Sequence, residues 1–188
     1  MDKSTDLTPV EQGPPVLTLP AILRGWARDL LIALALALVI IVFLYQPVKV
    51  EGTSMTPLLT DQERIFINKF VYRFQAVDRG DVVVFWYPQD ASKSFIKRVV
   101  GLPGETIEIR DGRVLVNGQP LDEPYVPPQF ADGHSFDAVR VPGGHYYVLG
   151  DHRTSSNDSR IFGPVAERMI YGKAVFVYWP LERIGLIR

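Results

Sequence analysis

Apolar and polar positions alternate in two different ways along this chain. From Leu30 to Tyr45 the sequence reads LLIALALALVIIVFLY, an unbroken apolar run without charge, Gly or Pro. The run is apolar on every helical face, unlike the one-sided stripe of a soluble helix. At ~1.5 Å per residue it covers roughly 24 Å, which reaches across a ~30 Å hydrocarbon core if Arg28 snorkels and Trp26 and Tyr45 sit at the interfaces. A membrane helix over residues 26–46 is therefore expected. After Val48 the period shortens to that of extended chain, with runs of Val, Ile, Phe and Tyr separated by Gly, Pro, Asp and Asn. Val82 to Tyr87 reads as a buried strand. Thr106 to Ile109 and Val114 to Val116 form a hairpin across Asp111-Gly112, and Asn117-Gly118 marks a second turn. Tyr146 to Leu149 and Ala174 to Trp179 bring the strands to at least five. No helical pattern alternates with them, so the fold class is mainly β, an antiparallel domain preceded by one N-terminal transmembrane helix.

The residues before the run, 1–25, are polar and carry Pro9, Pro14, Pro15 and Pro20, a composition suited to a tail. A cleavable secretory leader would place its apolar stretch nearer residue 1 and follow it with an A-x-A-like site, whereas Gln46-Pro47-Val48-Lys49 follows here. Retention as an anchor is the better reading. Arg24 and Arg28 precede the run against Lys49 after it, which orients the N-terminus toward the cytoplasm by one charge. The segment from Leu121 to Arg140, with Pro124, Pro127 and Pro128, reads as an excursion from the β core.

Composition narrows the chemistry. The chain has 188 residues, a net charge of −1 and no cysteine, which excludes disulfides, thiolate nucleophiles and cysteine-ligated metal. No global basic field exists to hold a phosphate backbone, so nucleic acid is not an expected partner. His134, His145 and His152 show no metal-helix spacing, and no metal site is expected.

Three segments carry candidate chemistry. In Val50-Glu51-Gly52-Thr53-Ser54-Met55-Thr56-Pro57, Gly52 and Pro57 bracket Ser54 in a sharply turned backbone. A serine nucleophile needs a base within hydrogen-bond reach and N–H donors for its oxyanion, and by itself this segment reads rather as a turn with a serine in it. In Phe95-Ile96-Lys97-Arg98-Val99-Val100, a lysine stands in an apolar strand where alternation sends Lys97 and Arg98 to opposite faces. Burial could lower the lysine pKa from ~10.4 toward ~7 and make it a base; the alternative is an edge strand with two exposed cations. In Gly150-Asp151-His152-Arg153-Thr154-Ser155-Ser156-Asn157-Asp158-Ser159-Arg160, short polar side chains allow an Asp158–Arg160 pair and a serine that orients a neutral amine. Asp151 and His152 with Ser54 also raise a Ser/His/Asp triad, which their adjacency disfavours.

Together these segments resemble bacterial type I signal peptidases over most of the chain after Leu30. The resemblance rests on the apolar run, S-M-x-P at Ser54 to Pro57, R-G-D-V-V-V-F at Arg79 to Phe85, K-R-x-V-G-x-P-G-E at Lys97 to Glu105 and G-D-x-R…D-S-R at Gly150 to Arg160. It implies a Ser54 nucleophile, a Lys97 general base and Ser156 holding the lysine amine. It also implies structural support from Arg98, Asp151, Asp158 and Arg160, and shallow pockets lined by Val50 and Ile96 for small side chains. No cofactor is implied. The implied partners are signal peptides of exported preproteins and the lipid bilayer, with association with the secretion machinery an open expectation. The implied location is the bacterial cytoplasmic membrane: tail 1–25 inside, anchor 26–46, and an extracytoplasmic β-rich protease domain 47–188 with a short insertion around 111–140.

The sequence departs from that pattern at two positions. Gly52 stands where some members carry a serine that helps bind the oxyanion, which leaves the Ser54 backbone N–H as the main donor; Leu58 replaces a common threonine. The brevity of Leu121 to Arg140 implies a second β region reduced to a hairpin and loop. Two rivals remain at this level. A Ser/Lys self-cleaving repressor would carry a DNA-binding segment where the apolar run stands, and a membrane-tethered binder of exported proteins would have no reason to pair Ser54 with Lys97.

Overall fold

The computed structural model describes residues 19–188, with the side chains of 19–22 and 41–43 outside the description. The tail assigned to 1–25 thus lies mostly outside the described residues. The chain divides into two units, Met1–Ile41 and Val42–Arg188. The first contains helix α1, Leu19–Leu44, which runs on to the start of the second. Its described apolar side chains, Leu30, Leu31, Ile32, Leu34, Leu36, Leu38, Val39 and Ile40, are exposed and fall on every helical face. Among the described residues no helix is long and apolar enough to cross a membrane. The helix ends at Leu44, so Tyr45 and Gln46, expected in the apolar span, belong to the first strand.

The second unit is antiparallel β, as the period-2 pattern implies. In chain order its strands are β1 Tyr45–Lys49, β2 Arg64–Asn68, β3 Val82–Tyr87, β4 Asp90–Gly101, β5 Thr106–Arg110 and β6 Arg113–Val116. There follow β7 Gln119–Pro120, β8 Phe136–Arg140, β9 His145–Leu149, β10 Val165–Ala166, β11 Ile170–Trp179 and β12 Gly185–Leu186; a single helical turn, α2 Ser159–Phe162, precedes β10. One sheet has the order β1-β2-β11-β3-β4-β9-β10 with β12 on β11, the other β7-β6-β5-β8. Every paired strand runs antiparallel to its neighbours.

The two expected turns are present. Asp111 and Gly112 take φ of 49° and 77°, and Asn117 and Gly118 take 51° and 80°, the left-handed pairs that close two-residue hairpins. The second β region, however, is larger than a hairpin and loop. Phe136–Arg140, read as part of an excursion, pairs with β5 and completes a four-stranded sheet. That sheet has its own buried cluster around Val100, Ile107, Ile109, Val114, Val141 and Leu149. Apolar residues of β5, β6 and β8 fall on one face and collect there, which is why a short segment supports a sheet. Two further clusters flank the larger sheet. One gathers Val50, Met55, Leu59, Ile65, Ile67, Val82 and Val84, the other Val77, Val83, Phe85, Val99, Tyr146 and Val148. Successive residues of β3 enter opposite clusters, so this strand is buried on both faces.

Candidate active site

Ser54 stands on the loop between β1 and β2. The loop is closed at its neck by Val50 N–H to the Glu63 carbonyl at 2.8 Å and Gln62 N–H to the Val50 carbonyl at 2.9 Å. At its tip, Thr56 N–H donates to the Thr53 carbonyl and Leu59 N–H to the Met55 carbonyl, at 3.0 and 2.9 Å. Met55 and Leu59 plug the loop into the core at 2% and 0% exposure. Pinned this way, the serine is fixed while its neighbours Gly52 and Thr53 stay at the surface. Gly52 has φ of +91°, a conformation that favours glycine.

Lys97 comes from β4, paired with Val83 of β3. It is 4% exposed, yet among the described residues it makes no ion pair; its Nζ lies 2.7 Å from Ser54 Oγ and 2.9 Å from the Ile96 carbonyl. Burial lowers its pKa to about 8, against the opposing pull of Asp158 and Asp151. A neutral amine in that position can accept the serine proton, which is the chemistry a serine nucleophile requires.

Arg98 departs to the other face. Its guanidinium makes a two-pronged pair with Asp151 at 2.9 and 2.8 Å, donates to the Gly80 carbonyl, and stacks 4.0 Å from the centre of the Tyr125 ring. Asp158 caps α2 and binds Arg160, and its second oxygen accepts from Gly150 N–H at 3.1 Å. Val50 and half-buried Ile96 line a cleft of about 460 Å³ together with Gly52, Ser54, Val84 and Lys97. Of the residues singled out in the sequence, Val50, Gly52, Ser54, Ile96 and Lys97 thus line one cleft, while Arg98, Asp151, Asp158 and Arg160 are tied to one another in pairs outside its lining.

Two details differ from expectation. Ser156 Oγ is buried without a hydrogen-bond partner, so the bond expected from the lysine amine is not made. Its place is nonetheless close-packed: a Cβ on Gly150 would fall 2.2 Å from Ser156 Oγ and 2.5 Å from the Ser54 carbonyl. The Gly52 N–H, a candidate oxyanion contact, instead donates to Asp61 Oδ1 at 2.8 Å, and that bond holds the Asp61 carboxyl below its usual pKa. The Ser54 N–H has no acceptor among the described residues and remains free for an oxyanion. The Ser/His/Asp alternative does not assemble: Asp151 is taken by Arg98, and His152 Nδ1 faces the Thr53 carbonyl at 3.2 Å.

Several supporting residues escape a reading of the sequence. Glu123, from the proline-rich segment, clamps the buried Arg153 guanidinium at 3.0 and 2.6 Å, and Asp132 holds Arg160. Glu63, 1% exposed, accepts from Thr60 N–H and from Arg183, which also donates to the Pro57 and Leu58 carbonyls. Their partners lie up to 120 residues away in the chain, and no local pattern announces them.

Known proteins carry the same architecture of sequence. Residues 23–179 match the family model for signal peptidases, peptidase S26. The chain is 41% identical to a signal peptidase I of Bacillus amyloliquefaciens over 84% of this chain and 86% of that protein. It is 39% identical to a probable signal peptidase I-1 of Synechocystis, over 83% and 82% of the two. A crystal structure of a signal peptidase I from Enterococcus faecalis is 32% identical, covers 53% of this chain and 97% of that one, and has a TM-score of 0.47. With a family match over most of its length and relatives near 40% identity across more than four-fifths of it, the chain belongs to the signal peptidase family, peptidase S26.

Proposed function

We propose that the protein removes signal peptides from exported preproteins by attack of Ser54 on the scissile carbonyl, with Lys97 as the general base. Signal-peptide cleavage by a serine endopeptidase follows from the family; the assignment of roles rests on one observation. Lys97 Nζ, buried and unpaired with any carboxylate among the described residues, lies 2.7 Å from Ser54 Oγ. The amine takes the hydroxyl proton as the new C–O bond forms, the Ser54 N–H receives the oxyanion, and the protonated lysine returns its proton to the leaving amine. Water then hydrolyses the acyl-enzyme by the same route in reverse. Asp151, Arg98, Asp158 and Arg160 hold the frame in which the two side chains meet, and Ser156 packs beside them. Val50 and Ile96 restrict the cleft to small side chains, which fits cleavage after A-x-A-like sequences.

The proposal places the domain on the extracytoplasmic face of the cytoplasmic membrane, anchored by residues 26–46 with the N-terminus inside. The apolar run and the exposed apolar faces of α1 support this reading. Contact with the secretion machinery, which delivers the substrate to that face, belongs to the same proposal. Purified protein incubated with a preprotein should yield the product cut at the A-x-A site, and Ser54→Ala and Lys97→Ala should each reduce the rate by at least roughly 10³-fold. Full activity in either variant would overturn the assignment.

A further inference from the structure

Away from the cleft, the larger sheet carries a recess of about 390 Å³ that the proteolytic site does not use. Asn68, the last residue of β2, accepts the N–H groups of Phe70 and Val71 at 2.9 and 3.1 Å and turns the chain into the 3-10 segment Val71–Arg73. Lys69, Tyr72 and Arg73 of that turn line the recess together with Trp86 near the end of β3, Arg168 just before β11, and Tyr171; the Trp86 and Tyr171 rings lie 4.7 Å apart.

The charge of this recess is one-sided. Lys69, Arg73 and Arg168 are exposed, line it together, and none is in an ion pair among the described residues. Asp81, which reaches the region through the Tyr72 hydroxyl at 3.0 Å, is neutralised by Lys173. Among the described residues no carboxylate lines the recess. Three unbalanced cations in a chain of net charge −1 favour an anion locally, and the aromatic rings of Tyr72, Trp86 and Tyr171 that line the recess suit a ligand with an apolar body.

Its position bears on which anion it would take. Lys69 N–H donates to the carbonyl of Leu44, the last residue of α1, at 3.4 Å, and Tyr45 pairs with Asn68. The recess therefore begins where the apolar run enters the domain. An apolar run held in a bilayer ends at headgroup level, where cations attract acidic lipids and aromatic rings settle. We infer that Lys69, Arg73 and Arg168 form a binding site for the phosphate headgroup of an anionic phospholipid, with Trp86 and Tyr171 against its glycerol and upper acyl carbons. This rests on the membrane-anchored reading above.

The test uses the full chain in detergent micelles, titrated with dioctanoyl phosphatidylglycerol, dioctanoyl phosphatidylcholine or inorganic phosphate, with bound ligand counted by native mass spectrometry. Phosphatidylglycerol should be retained at least roughly tenfold better than phosphatidylcholine, as three cations beside one acidic headgroup imply. Combining Lys69→Gln, Arg73→Gln and Arg168→Gln should abolish that preference, and Arg168→Gln alone should lose part of it. The same loss of charge on the other sheet, Arg110→Gln with Arg113→Gln and Arg140→Gln, should leave it intact. Equal retention of the two lipids, or a preference that survives the recess variant, would overturn the site. Inorganic phosphate that displaces phosphatidylglycerol at equal concentration would reassign it to free anions and overturn the lipid. Alkaline carbonate extraction of membranes separates the two readings: a chain released by carbonate loses the anchor, while the micelle titration stands or falls independently.

Discussion

A lysine amine that is 4% exposed beside a serine hydroxyl works against the stability of the fold. Lowering its pKa from 10.5 to about 8 means that, when protonated, the buried ammonium costs about 3 kcal/mol. Below pH 8 both folded and unfolded chains bind the proton, and the cost is present in full. Between pH 8 and 10.5 only the unfolded chain keeps it, so stability rises with pH through that window. Lys97→Met, which keeps the volume and removes the charge, also gives up the bonds to Ser54 and Ile96, worth about 1 kcal/mol each at most. The variant should be more stable than the parent by about 1 to 2 kcal/mol at pH 6.5 in urea unfolding, with the gain gone by pH 10.5; a loss of stability at pH 6.5 would contradict a strained lysine. At this scale the sequence was informative for Ser54 and Lys97, because their boxes are contiguous and resemble a family. It was silent on Glu123, Glu63 and Asp61, whose roles arise from partners brought close only by folding.

Among the elements, the hairpins were legible and the edges were not. Asp111-Gly112 and Asn117-Gly118 impose left-handed turns locally, so β5, β6 and β7 follow from a few residues. β8 has no such signal, since it pairs with β5 from the far end of a proline-rich stretch. β1 is hidden because Tyr45 to Lys49 follows directly on the apolar run and holds a proline, with no alternation to mark its pairing with β2. The loop after β9 is held by packing as much as by hydrogen bonds. Gly150 is enclosed between Ser156 Oγ and the Ser54 carbonyl at distances no Cβ tolerates, both of them backbone or buried short side chain. Gly150→Ala should therefore displace Ser54 from Lys97, reduce kcat by at least roughly 10²-fold and lower Tm. Unchanged kcat would show that the loop can shift freely and that the serine is not clamped by it.

For the whole molecule, the proposed membrane-anchored reading puts the chemistry of the β domain on the far side of a bilayer from residue 1. The absence of cysteine makes this directly measurable. A single cysteine at Ser4→Cys should be shielded from a membrane-impermeant maleimide in intact cells and react after lysis, whereas Arg113→Cys should react in intact cells. Labelling of both or the reverse order would contradict the orientation. The unbroken apolar run Leu30 to Tyr45 carries the proposed anchored reading by itself. The second sheet and its separate core were not, since cores form from residues whose meeting no local pattern fixes.

The central claim is that Ser54 acts with a neutral Lys97, and the pH dependence of single-turnover preprotein cleavage tests it most directly. The account predicts a rate that rises about tenfold per pH unit from pH 6 and levels off near pH 8, where the lysine loses its proton. A rate that stays flat between pH 6 and 9 would contradict it.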